Sequence, residues 1–390
     1  MFSNALSQLR NIGRVATFAG IAALAACADN KGTDLLAPTD PALAVVKAPN
    51  DVGGVFVSTN DVDGNAVAAF SRASDGSLTA LGMFPTGGTG VGGTTDPLAS
   101  QFALALSPDH KFLFVANAGS NDVSVFRVKE DGLKLVDRAS SGGTRPVSVA
   151  ATGDVLYVLN TSSNNVGVFH YGESGNLSAS GSASLSANAS GAAEVRVSPN
   201  GLVLNVTERV SNSIDSFVIG NDGALGAPIN SASSGQTPFG FDYAPNGLLV
   251  VSEAGSAAAS SYNQAGNGIL TPVSKSISTG GQAAPCWLIV DPAGRFAYTA
   301  NAGGSSISGF AIANDGSLTL ITAGGRTGDL GSGAQPLDLD ITGDGRFLYV
   351  LKNGTGTVGT FTVASDGTRS ALADTPGLGA HAGFMGLVAF

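Results

Sequence analysis

The sequence predicts an all-β fold, a seven-bladed β-propeller built from four-stranded antiparallel blades. Three observations carry that prediction. Of 390 residues, 55 are glycine and 43% are hydrophobic, and the apolar residues fall in short alternating runs broken by Gly, Asn, Asp and Ser. A turn dipeptide recurs seven times, at Asp75-Gly76, Asp131-Gly132, Ser174-Gly175, Asp222-Gly223, Asn267-Gly268, Asp315-Gly316 and Asp366-Gly367, with glycines 43 to 56 residues apart. Ahead of these turns stands a strand-ending signature: "FVST" (56–59), "FVAN" (114–117), "YVLN" (157–160), "NVTE" (205–208), "VVSE" (250–253), "YTAN" (298–301) and "YVLK" (349–352). A period of this length with four strands is a propeller blade.

Each element of the unit has its own reason. The innermost strand is an apolar run such as "PFGFDY" or "PLDLDI". A Pro/Gly turn follows, in "SPDHK", "SPNGL", "APNGL", "DPAGR" and "TGDGR". The second strand ends in the Asn, Glu or Lys signature. The third and fourth strands flank the Asp-Gly hairpin, whose turn needs positive φ. The first unit, from "VGGVFVST", lacks a clear inner strand, while the chain ends in "AGFMGLVAF". Met385–Phe390 is therefore expected to complete the first blade and close the ring, removing two sheet edges. The competing closure uses "ALAVVK" (42–47).

The first 26 residues read as a lipoprotein signal peptide. Arg10 and Arg14 precede a short apolar stretch, "VATFAGIAALAA" (15–26), and "LAAC" ends it at Cys27. That stretch is too short for an ordinary membrane span and has the layout of a signal. Cys27 is the expected lipid attachment site, which would anchor the chain to a membrane surface. Ala28 after it resembles Gram-negative lipoproteins of the outer membrane. Residues 27–49 read as a tether, and 50–390 as the propeller.

Cleavage removes two of the 19 Lys and Arg while all 29 Asp and Glu stay, so the net charge moves from −10 to −12. Without a basic run, nucleic acid is not an expected partner. No zinc spacing, phosphate-binding loop, haem-attachment motif or nucleophile elbow occurs, so neither cofactor nor metal is expected.

Propeller topology places the second-strand ends and the inner-strand starts on one rim. The former give Asn117, Asn160, Glu208, Glu253, Asn301 and Lys352, the latter Arg145, Glu194, Phe239, Trp287 and Gln335. The asparagines suit turn-stabilising bonds. Glu208 and Glu253 stand on neighbouring blades, with Arg209 beside the first. They are expected either as an acid–base or cation-holding pair, or as a salt-bridged, solvated rim. Trp287 is either a ligand platform or a plug. Arg145, Glu194, Phe239, Trp287 and Lys352 are the candidate ligand-binding residues. The Gly-rich connections 84–100 and 322–336 open at the same mouth, as mobile covers or as plain surface loops.

The "FVAN" and "YVLN" signatures, the Asp-Gly hairpins and the closing "GFMGLVAF" together resemble the propeller lactonases, which include 6-phosphogluconolactonase and carboxymuconate-lactonizing enzymes. The resemblance covers residues 50–390. It implies a site of His, Arg and Glu around the channel. The family glutamate falls on Glu253, the Arg-His pair on Phe239 and Gly240, and the histidine of the preceding blade near Ala193, with Glu194 and Arg196 close by. One acid thus carries over and the basic partners do not, which speaks against a phosphosugar. Two functions follow as expectations. The first is an envelope-anchored binding module for a small molecule, glycan or protein. The alternative is a lactone hydrolase with Glu253 or Glu208 as general base and Arg209 or Arg145 on the oxyanion.

Overall fold

A computed structural model describes residues 51–390; the signal, Cys27, tether and "ALAVVK" expectations lie outside the described residues. The described chain forms seven antiparallel sheets in sequence order. Blades 2 to 7 each begin with an innermost strand: Leu104–Leu106, Pro146–Thr152, Ala192–Val197, Pro238–Tyr243, Pro285–Val290 and Pro336–Ile341. Blade 1 takes Asp51–Ser58, Ala66–Ala73 and Leu78–Pro85 from the start of the ring, and its innermost strand is Met385–Ala389. Val55 pairs with Ala389 and Val57 with Leu387, so the C-terminal strand closes the ring as expected.

The outer strands of blades 6 and 7 are split. In blade 6, Leu318–Leu320 and Arg326–Asp329 both pair with the third strand. The connection 322–336, expected as loop, thus contains a strand. Among the described residues, no helix is long and apolar enough to cross a membrane.

Two of the repeated signatures serve one another. All seven turn glycines have positive φ, between 78° and 132°. The second-strand tyrosine of one blade reaches the turn of the next. Tyr157 donates its hydroxyl to Gly223 O at 2.8 Å, Tyr298 to Gly367 O at 3.1 Å and Tyr349 to Gly76 O at 2.8 Å. The last of these spans the closure between blades 7 and 1. All three rings are fully buried, so the hydroxyl bond is what lets a tyrosine stand there. Tyr349→Phe is expected to cost about 1–2 kcal/mol, since it leaves a buried carbonyl without its donor. Urea unfolding of the two proteins measures it.

The inner strands show how the channel edge is satisfied. An innermost strand has one edge without a strand partner. Here a polar side chain of one blade takes an N–H from the inner strand of the next. Ser148 Oγ accepts from Val195 N at 3.2 Å, Glu194 Oε2 from Phe241 N at 2.7 Å and Asp242 Oδ2 from Val290 N at 2.9 Å. Asp338 and Asp340 accept from Leu387 N at 3.0 Å and Ala389 N at 2.8 Å. Buried backbone donors need such partners, and these carboxylates supply them.

Candidate functional site

The connection from blade 1 to blade 2 does not behave as a loose cover. Leu98, Ser100, Gln101 and Phe102 are buried, and the segment is tied to blades around the ring. Gln101 N donates to Ala193 O of blade 4 at 3.2 Å. Its amide bonds Leu288 of blade 6 both ways, Nε2 to the carbonyl and Oε1 from the N–H, each at 2.9 Å. Ser100 Oγ donates to Val147 O of blade 3 at 2.8 Å, and Trp287 Nε1 donates to Ser100 O at 2.9 Å. The segment plugs the channel. Trp287, fully buried, is part of that plug and not a ligand platform.

Gly240 explains why the plug fits. A Cβ there would lie 2.0 Å from Gln101 Oε1, 2.7 Å from Cys286 O and 2.8 Å from Leu288 N. Gly240, where the resemblance to the propeller lactonases would place a histidine, is a position with no room for a side chain in this chain.

The two acids of the expected pair are each bonded within their own blade. Glu208 and Glu253 are fully buried within their own blades, not on a solvated rim. Glu253 accepts from Ser260 Oγ and Ser276 Oγ, both at 2.5 Å. Glu208 Oε2 accepts from Ser211 and Ser213 at 2.8 and 3.0 Å. Its Oε1 has no hydrogen-bond partner; burial, then neighbouring Asp215, raises the Glu208 pKa to about 7. Each second-strand end turns its side chain into the blade. Asn117 follows the same rule, with Asp122 and Ser124 as partners at 2.6 and 2.8 Å.

The other predicted residues divide. Glu194 is fully buried on the channel wall, with burial raising its pKa well above the carboxylate range, so it is no rim ligand. Lys352 is committed to Asp374 at 2.5 Å. Arg209, Phe239, Trp287 and Arg145 do come together around the plug. The Arg209 guanidinium lies 5.4 Å from the Phe239 ring centroid, and Phe239 meets Trp287 edge-on at 5.4 Å. Arg145 Nη2 donates to Pro97 O at 2.8 Å.

The residue that sequence reasoning missed is Asp96, just ahead of that proline. Burial raises its pKa to about 6, against the opposing charge of Arg209. The two interact by charge without a direct ion pair. Asp96 Oδ1 and Arg209 Nε are both buried without a hydrogen-bond partner. A buried carboxyl whose pKa is raised to about 6, near a guanidinium whose Nε has no partner, has the make-up of a proton acceptor and an anion-stabilising group. Asp96 lies outside the repeat, in "TTDPLAS", so no periodic signal marks it.

The opposite mouth, where the inner strands end, holds two adjoining cavities of about 370 and 430 Å³, both lined by Arg196, Val197, Pro199 and Asp340. The rim expected from the second-strand ends is on the other face. Among the described residues, no group of three or more His, Cys, Asp or Glu is placed to hold a metal.

These features define a propeller whose channel is plugged by its own chain and whose inner-strand ends border two cavities. The chain belongs to the seven-bladed β-propeller lactonase family: the family model matches residues 59–188, 179–283 and 248–380. No curated protein sequence matches the chain. Solved structures share the fold. A Bacteroides fragilis protein, provisionally a 6-phosphogluconolactonase, has a TM-score of 0.69 at 17% identity, covering 88% of this chain and 99% of its own. The periplasmic gluconolactonase of Pseudomonas aeruginosa gives 0.68 at 17%, covering 86% and 98%. Virginiamycin B lyase of Staphylococcus aureus gives 0.54 at 16%, covering 75% and 90%.

Proposed function

We propose that this chain is a lactone hydrolase of the cell envelope, working at the plugged mouth with Asp96 as general base. The observation that carries the reading is the Asp96–Arg209 arrangement in a lactonase-family ring. Ionised Asp96 takes a proton from water as the water oxygen attacks the lactone carbonyl. Arg209 balances the oxyanion. Collapse of the tetrahedral intermediate breaks the ring C–O bond, and the proton held by Asp96 passes to the leaving alkoxide. The substrate class is an unphosphorylated lactone, since the basic residues that a phosphate needs are absent at the family positions. The Pseudomonas gluconolactonase supports both the substrate class and an exported location.

Asp96→Asn keeps the size and the turn acceptor but not the base. It is expected to lower turnover of gluconolactone by about 100-fold or more, while Glu253→Gln, altered inside its blade, retains turnover. The second reading is a non-catalytic binding module. It is favoured by one observation, the Gln101 amide standing where the family histidine would sit. Absence of turnover in the wild type would select it.

The chain's place in the envelope rests on the signal at 1–26 and lipidation at Cys27. Cys27→Ala is expected to move the protein from the membrane to the soluble fraction on cell fractionation.

A further inference from the structure

We propose that the opposite mouth is a binding site for a small hydroxy-carboxylate, held by the Arg196 guanidinium. Arg196 sits on the innermost strand of blade 4 and borders both cavities. Its orientation is fixed from two sides. Nε is 3.0 Å from Asp242 Oδ1, and the guanidinium lies 4.3 Å from the Phe102 ring centroid. Among the described residues, no acceptor other than Asp242 holds it, and 31% of the side chain remains exposed. Its outer N–H donors are therefore held in place and unused. A planar fork of this kind matches a carboxylate through two parallel hydrogen bonds.

The surroundings choose among anions. Asp242 and Asp340 stand close to Arg196 and contribute to its electrostatic surroundings. Because the guanidinium is already paired with Asp242 and also lies near Glu194, the free edge of the fork selects by geometry: a singly charged carboxylate adds the least negative charge, whereas a phosphate dianion would bring a second charge against those acids. Asp340, His110 and Thr152 line the first cavity and offer partners to hydroxyl groups. A cavity of about 370 Å³ is of the size that small ligands occupy. Phe102 belongs to the plug and also lines this cavity, so the plug segment forms part of its wall. The proposal does not depend on the hydrolase reading.

Calorimetric titration with sodium gluconate tests it, with glucose and inorganic phosphate as probes of the neutral and doubly charged classes. Saturable gluconate binding is expected, with glucose and phosphate weaker by about ten-fold or more. Arg196→Lys keeps the charge beside Asp242 but loses the fork, and should weaken gluconate by about ten-fold. Ala151→Phe fills the cavity without touching the clamp and should abolish binding; it decides the matter if Arg196→Lys fails to fold. The proposal is overturned if the wild type does not bind gluconate, if phosphate binds as tightly, or if Ala151→Phe binds undiminished. Loss of binding in Asp96→Asn with Arg196→Lys intact would place the ligand at the other mouth and overturn it equally.

Discussion

Gly240→Ala should destabilise the protein by about 3 kcal/mol or more, or prevent its folding. The added Cβ meets three atoms closer than 3.0 Å, and two of them are backbone: Cys286 O and Leu288 N. The third, Gln101 Oε1, is the end of a side chain, but it is bonded to Leu288 N and cannot swing away freely. Gln101→Ala alone should cost about 1–3 kcal/mol by leaving the Leu288 N–H and carbonyl unpaired. The double variant should stay destabilised, because removing the glutamine relieves only one of the three contacts. Equilibrium denaturation of the three variants measures these effects. A Gly240→Ala protein within about 0.5 kcal/mol of wild type would mean that the plug is not seated against blades 5 and 6 as described.

A second large effect is a loss of stability as pH rises from 5 to 8. Burial, followed by neighbouring Asp215, raises Glu208 to about 7, and burial raises Asp340 to about 7 and Asp96 to about 6. Burial likewise pushes Glu194 and Asp338 well above the carboxylate range. In the unfolded chain all five ionise near pH 4. Between that value and their folded pKa values the folded state holds protons that the unfolded state has lost. Stability is then full at and below pH 4 to 5 and falls as pH rises through 6 and 7.

Other carboxylates set the acid limit. Bonds to Ser77, Ser317 and Thr368 hold Asp75, Asp315 and Asp366 below the usual range, and Lys111, then Ser107, brings Asp109 to about 2. Their contributions are lost as pH falls from 4 toward 2. The Tm is expected to be about 5–10 °C lower at pH 8 than at pH 5. Glu208→Gln, which supplies a permanent donor toward Asp215, should flatten part of the slope. Calorimetry across this range checks both; a Tm that holds or rises toward pH 8 contradicts the account.

The parts of this protein that repeat were legible in its sequence. The Asp-Gly turns need positive φ, and the second-strand tyrosines recur because the next blade's turn carbonyl needs a donor. Closure by Met385–Ala389 was readable because a blade lacking an inner strand stood at one end and a lone inner strand at the other. The site was less legible for the same physical reason. Glu208 and Glu253 differ from the asparagines in charge, yet all these side chains fill the polar interior of a blade, where serines from adjacent strands take either an amide or a carboxylate. The plug and Asp96 come from a connection with no counterpart in other blades, so no period constrains them. Gly240 carried a signal: a glycine inside an innermost strand marks a close approach of something else. In this protein that is Gln101.

The central claim is that Asp96 is the base of a lactone hydrolase, and the pH–rate profile of gluconolactone opening, corrected for the spontaneous reaction, tests it most directly. Wild-type kcat/KM should rise with pH and level off around an inflection near 6, where Asp96 ionises. Asp96→Asn should remove both the rate and the inflection. Turnover with the same profile in Asp96→Asn, or no turnover above the spontaneous rate in the wild type, would contradict the account.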